Sequence, residues 1–173
     1  ISKPFVGLAA ARLADEGRLD LDADVSDYLG YRLRNPNYPE TPISSAMLLS
    51  HTSSLRDGDG YSLPVGRSVR EFFEPAGDHF APAGEAPGAF FAYCNLNYGV
   101  MGTVIERVTG ERFDRYMSRA VLGPMGLDAS FNVRSFSDKA LADLATIYRK
   151  GDDDSHWDPD GPWVPQVDDY RGG

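Results

Sequence analysis

Three side chains in this sequence could together move protons at a reacting centre. Lys3 carries an amine, Tyr93 a phenol, and Asn95 an amide with one acceptor oxygen and two donor hydrogens. A positive field, burial and nearby cations favour the neutral form of an amine, which can then accept a proton from a hydroxyl. A phenol can relay that proton to another group. These residue types therefore suit acid–base chemistry at a nucleophile.

Lys3 is predicted to lie at the entrance of a helix. Pro4 is tolerated in a first helical turn, and Gly17 lies where a left-handed C-terminal cap would fall. Apolar residues between them recur at the spacing of one helical face: Phe5, Leu8, Ala9 and Leu13. A residue three positions before Lys3 would lie on the same face, within reach of the amine.

Tyr93 and Asn95 are predicted to lie in a loop just before a second helix. Asn97 can cap this helix and Gly110 can terminate it. Its buried stripe is expected to consist of apolar residues at helical spacing: Val100, Met101, Val104, Ile105 and Val108. A loop held by a buried helix can present a phenol and an amide at fixed positions.

The chain resembles the serine β-lactamase and penicillin-binding-protein superfamily, in its class C-like esterase and peptidase branch. The resemblance covers roughly residues 1–135 and is carried by four segments: Lys3 with residues 16–29, residues 41–55, residues 84–102 and residues 112–127. It implies an α/β (α+β) fold of the β-lactamase/transpeptidase type, with residues 1–173 as part of a single catalytic domain. This segment is then mainly the helical region, and the antiparallel sheet lies largely outside it.

Two motifs of the superfamily have counterparts here. The segment around Tyr93 and Asn95 resembles the Tyr-x-Asn motif together with its flanks. Lys3 matches the lysine of the first motif, Ser-x-x-Lys. The nucleophilic serine is then expected immediately before Ile1, and Ser2 is a bystander.

The resemblance implies a serine hydrolase that forms an acyl-enzyme intermediate with an ester or an amide. Lys3 is then the general base or proton shuttle, and Tyr93 relays protons among the serine, the lysine and the leaving group. Asn95 holds the lysine and the carbonyl or amide of the substrate. Carboxylesterase activity is favoured, while β-lactamase, D-amino-acid peptidase and amidase activities share these motifs. The alternative is a non-catalytic binding or sensing module that keeps the scaffold.

The third motif of the superfamily, a His or Lys followed by any residue and then Gly, does not occur near the C-terminal end of the sequence. Lys150 and Gly151 are adjacent and do not fit it. In the superfamily this motif lies on a strand that edges the cleft and helps to form the oxyanion hole. The expected partners are therefore the remainder of the same polypeptide and a small-molecule ester, amide or peptide-like substrate.

Residues 48–55 resemble the superfamily signature Leu-Leu-Ser-His-Thr-Ser-Gly-Leu, except that Ser54 replaces the usual glycine. Glycine relieves backbone strain in a turn after a helix, so this departure concerns local geometry. His51 and Asp57 also permit a triad with a neighbouring serine, although closeness in sequence does not show that such partners meet in space. That serine would be Ser53 or Ser54. In the superfamily this stretch is structural, and we favour that interpretation.

Cys94 is a second alternative nucleophile, with His79 or His156 as its base. It is flanked by aromatic and apolar residues, so a small buried thiol is the favoured interpretation. Because it is the chain's single cysteine, it cannot form an internal disulfide.

Residues 151–173 look like an irregular surface segment that is rich in proline and glycine. The three aspartates at residues 152–154 could bind a hard cation. They lack the alternating spacing and closing glutamate of a calcium loop, so a solvated charge run is favoured. Trp157 and Trp163 either line a substrate cleft or anchor a long loop, and we favour the anchor.

Composition narrows the classes of partner. The formal net charge of −9 disfavours nucleic acid and anionic membrane surfaces. No run of about twenty apolar residues offers a membrane span. The sequence holds neither a phosphate-cradling glycine loop nor a Cys/His cluster with metal spacing, so no cofactor is expected. The compartment, periplasmic or secreted or cytoplasmic, and the oligomeric state stay open.

Overall fold

The computed structural model describes residues 2–64, 66–146, 148–150 and 160–165. Helices dominate this part of the chain: α1 (Ser2–Asp15), α2 (Val25–Leu29), α3 (Ser45–Leu49), α4 (Leu96–Thr109), α5 (Phe113–Met117) and α6 (Asp138–Ala142). Short 3₁₀ turns occupy Val69–Phe72 and Val133–Ser135, and a π-helical turn, Ser118–Leu122, continues α5. The mainly helical character expected of this segment is confirmed.

Helix α4 lies at the centre of the fold, where it packs against α1, α2, α3 and α5. Val100, Met101, Val104 and Ile105 are completely buried, as their helical spacing predicts, whereas Val108 lies at the edge of the core. Burying one such side chain contributes about 1.5–3 kcal/mol to folding. The helix ends at Gly110, whose φ of 72° confirms the predicted left-handed cap.

Helix α1 presents a slightly different face to the core from the one predicted. Its buried residues are Val6, Ala9, Ala10 and Leu13, whereas Leu8 is 49% exposed. The prediction for Leu8 is wrong because the buried i, i+3, i+4, i+7 series starts at Val6 and leaves Leu8 on the outer side. Gly17 adopts the predicted left-handed conformation with φ of 69°. The chain then turns back, and the amide of Arg18 donates to the carbonyl of Leu13 at 2.9 Å.

An ion pair fixes the segment that leads from α2 towards α3. Asp24 caps α2, because its Oδ1 accepts a hydrogen bond from the amide of Ser26 at 3.0 Å. Arg34 donates Nη1–H to the same oxygen at 2.9 Å and Nη2–H to Oδ2. Burial raises the pKa of Asp24, but the hydrogen bonds from Arg34 and Ser26 outweigh it and hold the pKa below its ordinary value.

The C-terminal part of the chain contains one departure from the prediction. Residues 163–165 form a strand, β2 (Trp163–Pro165), which pairs antiparallel with β1 (Tyr148–Lys150). The prediction of an irregular segment is wrong there, because backbone pairing with β1 satisfies its polar groups. The ring of Trp163 is 64% exposed and lies 5.8 Å from Nζ of Lys150. The aspartates at 152–154 and Trp157 lie outside the described residues.

Helix α5 and its π-helical continuation end at Leu122, just before Gly123 and Pro124, as the sequence predicts. None of the helices among the described residues combines the length and the apolar character that a bilayer crossing requires.

Candidate active site

Lys3 and Asn95 meet where the first turn of α1 faces the entrance of α4. Nζ of Lys3 donates a hydrogen bond to Oδ1 of Asn95 at 2.7 Å. The same amine lies 4.9 Å from the centre of the Tyr93 ring and 5.4 Å from that of Tyr98. The three residues singled out in the sequence therefore lie together, with the amine facing two aromatic rings.

The ring of Tyr93 packs against the imidazole of His51. The two ring centres are 4.5 Å apart, with 33° between the ring planes. Phe91 contacts the same imidazole edge-on at 6.0 Å. Tyr93 is nevertheless 58% exposed and Phe91 64%, so both rings face outwards.

The loop that carries Tyr93 is fixed by the turn after α3. The amide of Ala92 donates to the carbonyl of His51 at 2.9 Å, and that of Gly88 donates to the carbonyl of Thr52 at 2.7 Å. Gly88 has a φ of 82°, and a Cβ at this position would lie 3.2 Å from Cε of Met47. Both the backbone conformation and the close approach therefore favour glycine at residue 88.

His51 acts in this arrangement as a neutral hydrogen-bond acceptor. Its Nδ1 accepts the amide hydrogen of Cys94 at 3.1 Å. Partial burial lowers the pKa of His51, and the positive charge of Lys3 lowers it further, so the ring is neutral at pH 7. The sequence interpretation of this stretch as structural agrees with these contacts.

The members of the alternative triad are engaged with other partners. Ser53 donates its hydroxyl to Oδ1 of Asn97 at 2.6 Å, deep in the core. Oγ of Ser54 accepts a hydrogen bond from Asn35 at 3.3 Å. Asp57 binds Asn95 instead of the imidazole of His51. These side chains therefore bind other residues of the fold and do not form a triad.

Ser54, which replaces the usual glycine, has a φ of 64°. This left-handed conformation brings Cβ of an ordinary residue close to the following carbonyl, at a cost of about 1–2 kcal/mol. The prediction that this departure concerns local geometry is confirmed. The turn keeps the conformation that glycine would adopt, with a strained residue in its place.

Asp57 is the residue at this site whose position the sequence did not predict. Its Oδ2 accepts a hydrogen bond from Nδ2 of Asn95 at 2.9 Å, and its Oδ1 accepts one from the amide of Leu96 at 2.9 Å. Partial burial raises the pKa of Asp57, but the backbone amides of Asn95 and Leu96 outweigh it, and the pKa lies below its ordinary value. Asp57 is therefore an anion at neutral pH.

The prediction that Asn97 caps α4 is wrong. Helix α4 begins at Leu96, so Asn97 lies inside its first turn, where it is completely buried and accepts the hydroxyl of Ser53. The carboxylate of Asp57 takes the first free amide of the helix instead. Asn95 occupies the N-cap position, but its side chain makes no capping hydrogen bond.

Cys94 is not placed as a nucleophile. The residue is completely buried, and Sγ donates a weak hydrogen bond to Oδ1 of Asp57 at 3.3 Å. Burial, together with the negative charge of Asp57, raises the pKa of the thiol to about 12. The favoured interpretation, a small buried thiol, is confirmed for this residue. Of its suggested bases, His79 contacts other groups and His156 lies outside the described residues.

Among the described residues, one group has ligand atoms close enough to hold a metal ion: Asp59, Asp78 and His79, within 4.8 Å of one another. Nε2 of His79 lies 3.0 Å from the carbonyl of Gly60, and Nδ1 lies 3.2 Å from the carboxylate of Asp78. Both ring nitrogens thus have protein partners. Hydrogen bonding within the loop accounts for the cluster.

Comparisons with known proteins agree with this geometry. The family profile described as Beta-lactamase matches residues 1–170. Protein flp of Staphylococcus aureus (strain N315) is 31% identical over 128 residues, which cover 72% of this chain and 25% of that protein. The chain therefore spans about a quarter of the length of this curated relative.

Solved structures share the arrangement of the helices. The octameric penicillin-binding protein homologue from Pyrococcus abyssi superposes with a TM-score of 0.66 at 28% identity, over 95% of this chain and 37% of that one. EstCE1, described as a hydrolase with promiscuous acyltransferase activity, superposes with a TM-score of 0.66 at 26% identity. The superposition covers 95% of this chain and 43% of EstCE1. The expected β-lactamase/transpeptidase-like fold is confirmed, and because the family profile extends over almost the whole sequence, this chain belongs to the beta-lactamase family.

Proposed function

We propose that this chain forms the helical part of a serine hydrolase that acts through an acyl-enzyme intermediate on an ester or an amide. The observation that carries the proposal is the contact between Lys3 and Asn95 at 2.7 Å, with the ring of Tyr93 4.9 Å from the same amine. Helices α1 and α4, which pack together in the core, hold the amine and the amide in fixed positions. Fixed proton-transfer groups are what acyl transfer requires of such a site.

The nucleophile in this proposal is a serine at the position immediately before Ile1, one helical turn before Lys3. Its hydroxyl oxygen attacks the carbonyl carbon of the substrate while Lys3 accepts the hydroxyl proton. The bond to the leaving group then breaks, and Tyr93 relays the proton to the departing oxygen or nitrogen. Water next attacks the acyl-enzyme ester and gives up a proton by the reverse path, which releases the acid and restores the serine.

Asn95 holds the lysine through its acceptor oxygen. One hydrogen of its Nδ2 is committed to Asp57 at 2.9 Å, which leaves the second hydrogen for the carbonyl or amide of a substrate. The backbone amides of the proposed serine and of the strand that carries the third motif would hold the oxyanion. Each would contribute about 3–4 kcal/mol to the stability of the transition state.

An ester is our proposed substrate. Phe90 and Phe91, which lie close to Tyr93 in sequence, are 47% and 64% exposed, and an apolar acyl group would cover these aromatic side chains. The description of EstCE1 as a hydrolase with acyltransferase activity supports acyl chemistry on this fold. The description of the Pyrococcus protein as a penicillin-binding protein homologue supports the amide alternative, which the experiment below separates.

The proposal is tested by labelling the complete protein with a fluorophosphonate and, separately, with a penicillin, followed by peptide mapping. We expect a fluorophosphonate adduct on the residue before Ile1. Labelling by penicillin as well would move the substrate class towards peptidoglycan-like amides. A folded protein that neither reagent labels would contradict the hydrolase and favour the non-catalytic binding module.

Variants of Lys3 test its role as the base. We expect Lys3→Ala to lower kcat for p-nitrophenyl esters by about 10²- to 10⁴-fold, because this is the range that general acid–base catalysis contributes. Lys139→Ala is the matched control, since Lys139 lies on the surface and, among the contacts described, pairs only with Asp143, which directly follows its helix. Equal rates in the two variants would show that the amine of Lys3 does not take part.

A further inference from the structure

The amide of Asn95 lies between a carboxylate and an amine. Its Nδ2 donates to Oδ2 of Asp57 at 2.9 Å, and its Oδ1 accepts from Nζ of Lys3 at 2.7 Å. An ionised carboxylate can only accept hydrogen bonds, so Nδ2 must face Asp57 and Oδ1 is left to accept from the amine of Lys3. The opposite orientation of the amide would place oxygen against oxygen and nitrogen against nitrogen. The pair therefore permits a single orientation of Asn95.

Asp57 is itself held by donors from three consecutive residues. Besides the side chain of Asn95, its carboxylate accepts the amide of Leu96 at 2.9 Å and the thiol of Cys94 at 3.3 Å. The amide belongs to the first residue of α4, where the helix dipole also favours an anion. The carboxylate is thus fixed to the same helix entrance that carries the Tyr-x-Asn motif.

We propose that Asp57 is a positioning residue, which orients the Asn95 amide so that its oxygen holds the amine of Lys3. This inference rests on the proposed function. The hydrogen bond to Asn95 fixes the position of the amine, which the proposed proton transfer requires. Asp57 touches no reacting atom in this scheme and acts through Asn95.

The variant Asp57→Asn tests this role at almost constant shape. One carboxylate oxygen becomes an amide nitrogen, which must face either the amide of Leu96 or Nδ2 of Asn95, donor against donor. Asn95 can relieve the second clash by turning its amide over, and its nitrogen then faces Lys3. Loss of the negative charge and reversal of the amide dipole both favour the neutral form of the amine.

We therefore expect two coupled changes in Asp57→Asn. The kcat for an ester falls roughly ten- to hundred-fold while KM changes little, because a misplaced catalytic group costs rate more than binding. The acidic limb of the pH profile of kcat moves to lower pH, because the neutral amine persists further into acid. If Asp57 only stabilised the start of α4, Asp57→Asn would lower the stability of the protein, but the acidic limb of the pH profile of kcat would stay where it is.

The double variant Asp57→Asn with Asn95→Asp reverses the polarity of the pair and restores its complementarity. The introduced amide can donate to the introduced carboxylate, whose other oxygen can accept from Lys3. We expect the double variant to be more active than either single variant, with its acidic limb above that of Asp57→Asn. Asp59→Asn is the matched control, because the side chain of Asp59 is 89% exposed on the same loop, and it should match the wild type.

The outcomes separate the two proposals. A folded wild-type protein that hydrolyses no ester and is labelled by neither the fluorophosphonate nor the penicillin would overturn the proposed function. An active wild type whose kcat and pH profile are unchanged by Asp57→Asn overturns the positioning role alone. So does a double variant that is less active than both single variants, since additive damage indicates a structural part only.

Discussion

His51 and Asp57 each support a different side chain of the candidate site. The neutral ring of His51 accepts the amide of Cys94 and supports the ring of Tyr93. The anion of Asp57 holds the amide of Asn95. Each outer residue thus fixes one of the two side chains of the Tyr-x-Asn motif. The exposed position of Tyr93 beside Lys3 follows from these buried contacts.

Cys94 lies between these two supports, which predicts its reactivity. A buried thiol whose pKa is raised to about 12 holds almost no thiolate near pH 8, and only the thiolate is nucleophilic. We expect iodoacetamide at pH 8 to leave Cys94 unmodified in the folded protein and to modify it fully in urea. Mass spectrometry of the peptide that contains Cys94 measures both. Alkylation of the native protein at the rate of the unfolded one would contradict the burial described here.

At the scale of elements, the turn between α3 and the following loop carries the strain of the site. Ser54 has a φ of 64°, where a Cβ destabilises the folded state by about 1–2 kcal/mol. Glycine avoids this cost, but it loses more conformational entropy on folding than alanine, which offsets about 0.5–1 kcal/mol of the gain. We therefore expect Ser54→Gly to be more stable than Ser54→Ala by about 0.5–1 kcal/mol. Both variants lose the same contact with Asn35, so their difference isolates the Cβ.

Urea unfolding of the two variants measures this difference. Ser62 provides the comparison pair, since it lies exposed in a loop and is not among the residues with positive φ. There the alanine variant should be at least as stable as the glycine variant. Greater stability of Ser54→Ala than of Ser54→Gly would show that the turn is not strained.

The sequence predicted those features of these elements that depend on local spacing or on a motif. The core of α4 and its end at Gly110 followed from apolar spacing and a glycine. The grouping of Lys3 with Asn95 followed from the resemblance. The cap of α4 was missed, because its acceptor, Asp57, comes from a distant turn and not from the neighbouring Asn97. Local sequence cannot show which of several side chains tertiary contacts will bring to a helix entrance.

At the scale of the whole molecule, partly buried carboxylates link folding to pH. In Asp24 and Asp57, burial raises the pKa but hydrogen bonds outweigh it. In Asp114, the hydrogen bond from Arg112 holds the pKa well below its ordinary value. A carboxylate whose pKa is lower in the folded state contributes stability above the pKa of the unfolded state and loses it as pH falls. The free energy of unfolding should therefore decrease in acid.

Asp24→Asn measures how much the pair of Asp24 with Arg34 contributes to the free energy of unfolding. Near neutral pH we expect this variant to be less stable than the wild type by about 1–3 kcal/mol, because Arg34 loses a charged, partly buried partner. This difference should stay constant above about pH 5 and shrink as the pH falls below 3.8, the ordinary value for the Asp24 carboxyl. Protonation of Asp24 then removes the same interaction from the wild type.

Urea unfolding of the complete protein at a series of pH values gives the two curves. Asp143→Asn is the control, since its pair with Lys139 lies on the surface with side chains 67% and 82% exposed. That substitution should change stability by less than about 0.5 kcal/mol at every pH, because water screens exposed pairs. If the wild type and Asp24→Asn differ by the same amount at pH 2 and pH 7, the charge of Asp24 does not contribute. The loss would then come from shape alone, and the acid sensitivity of the fold would have to arise at the other paired carboxylates.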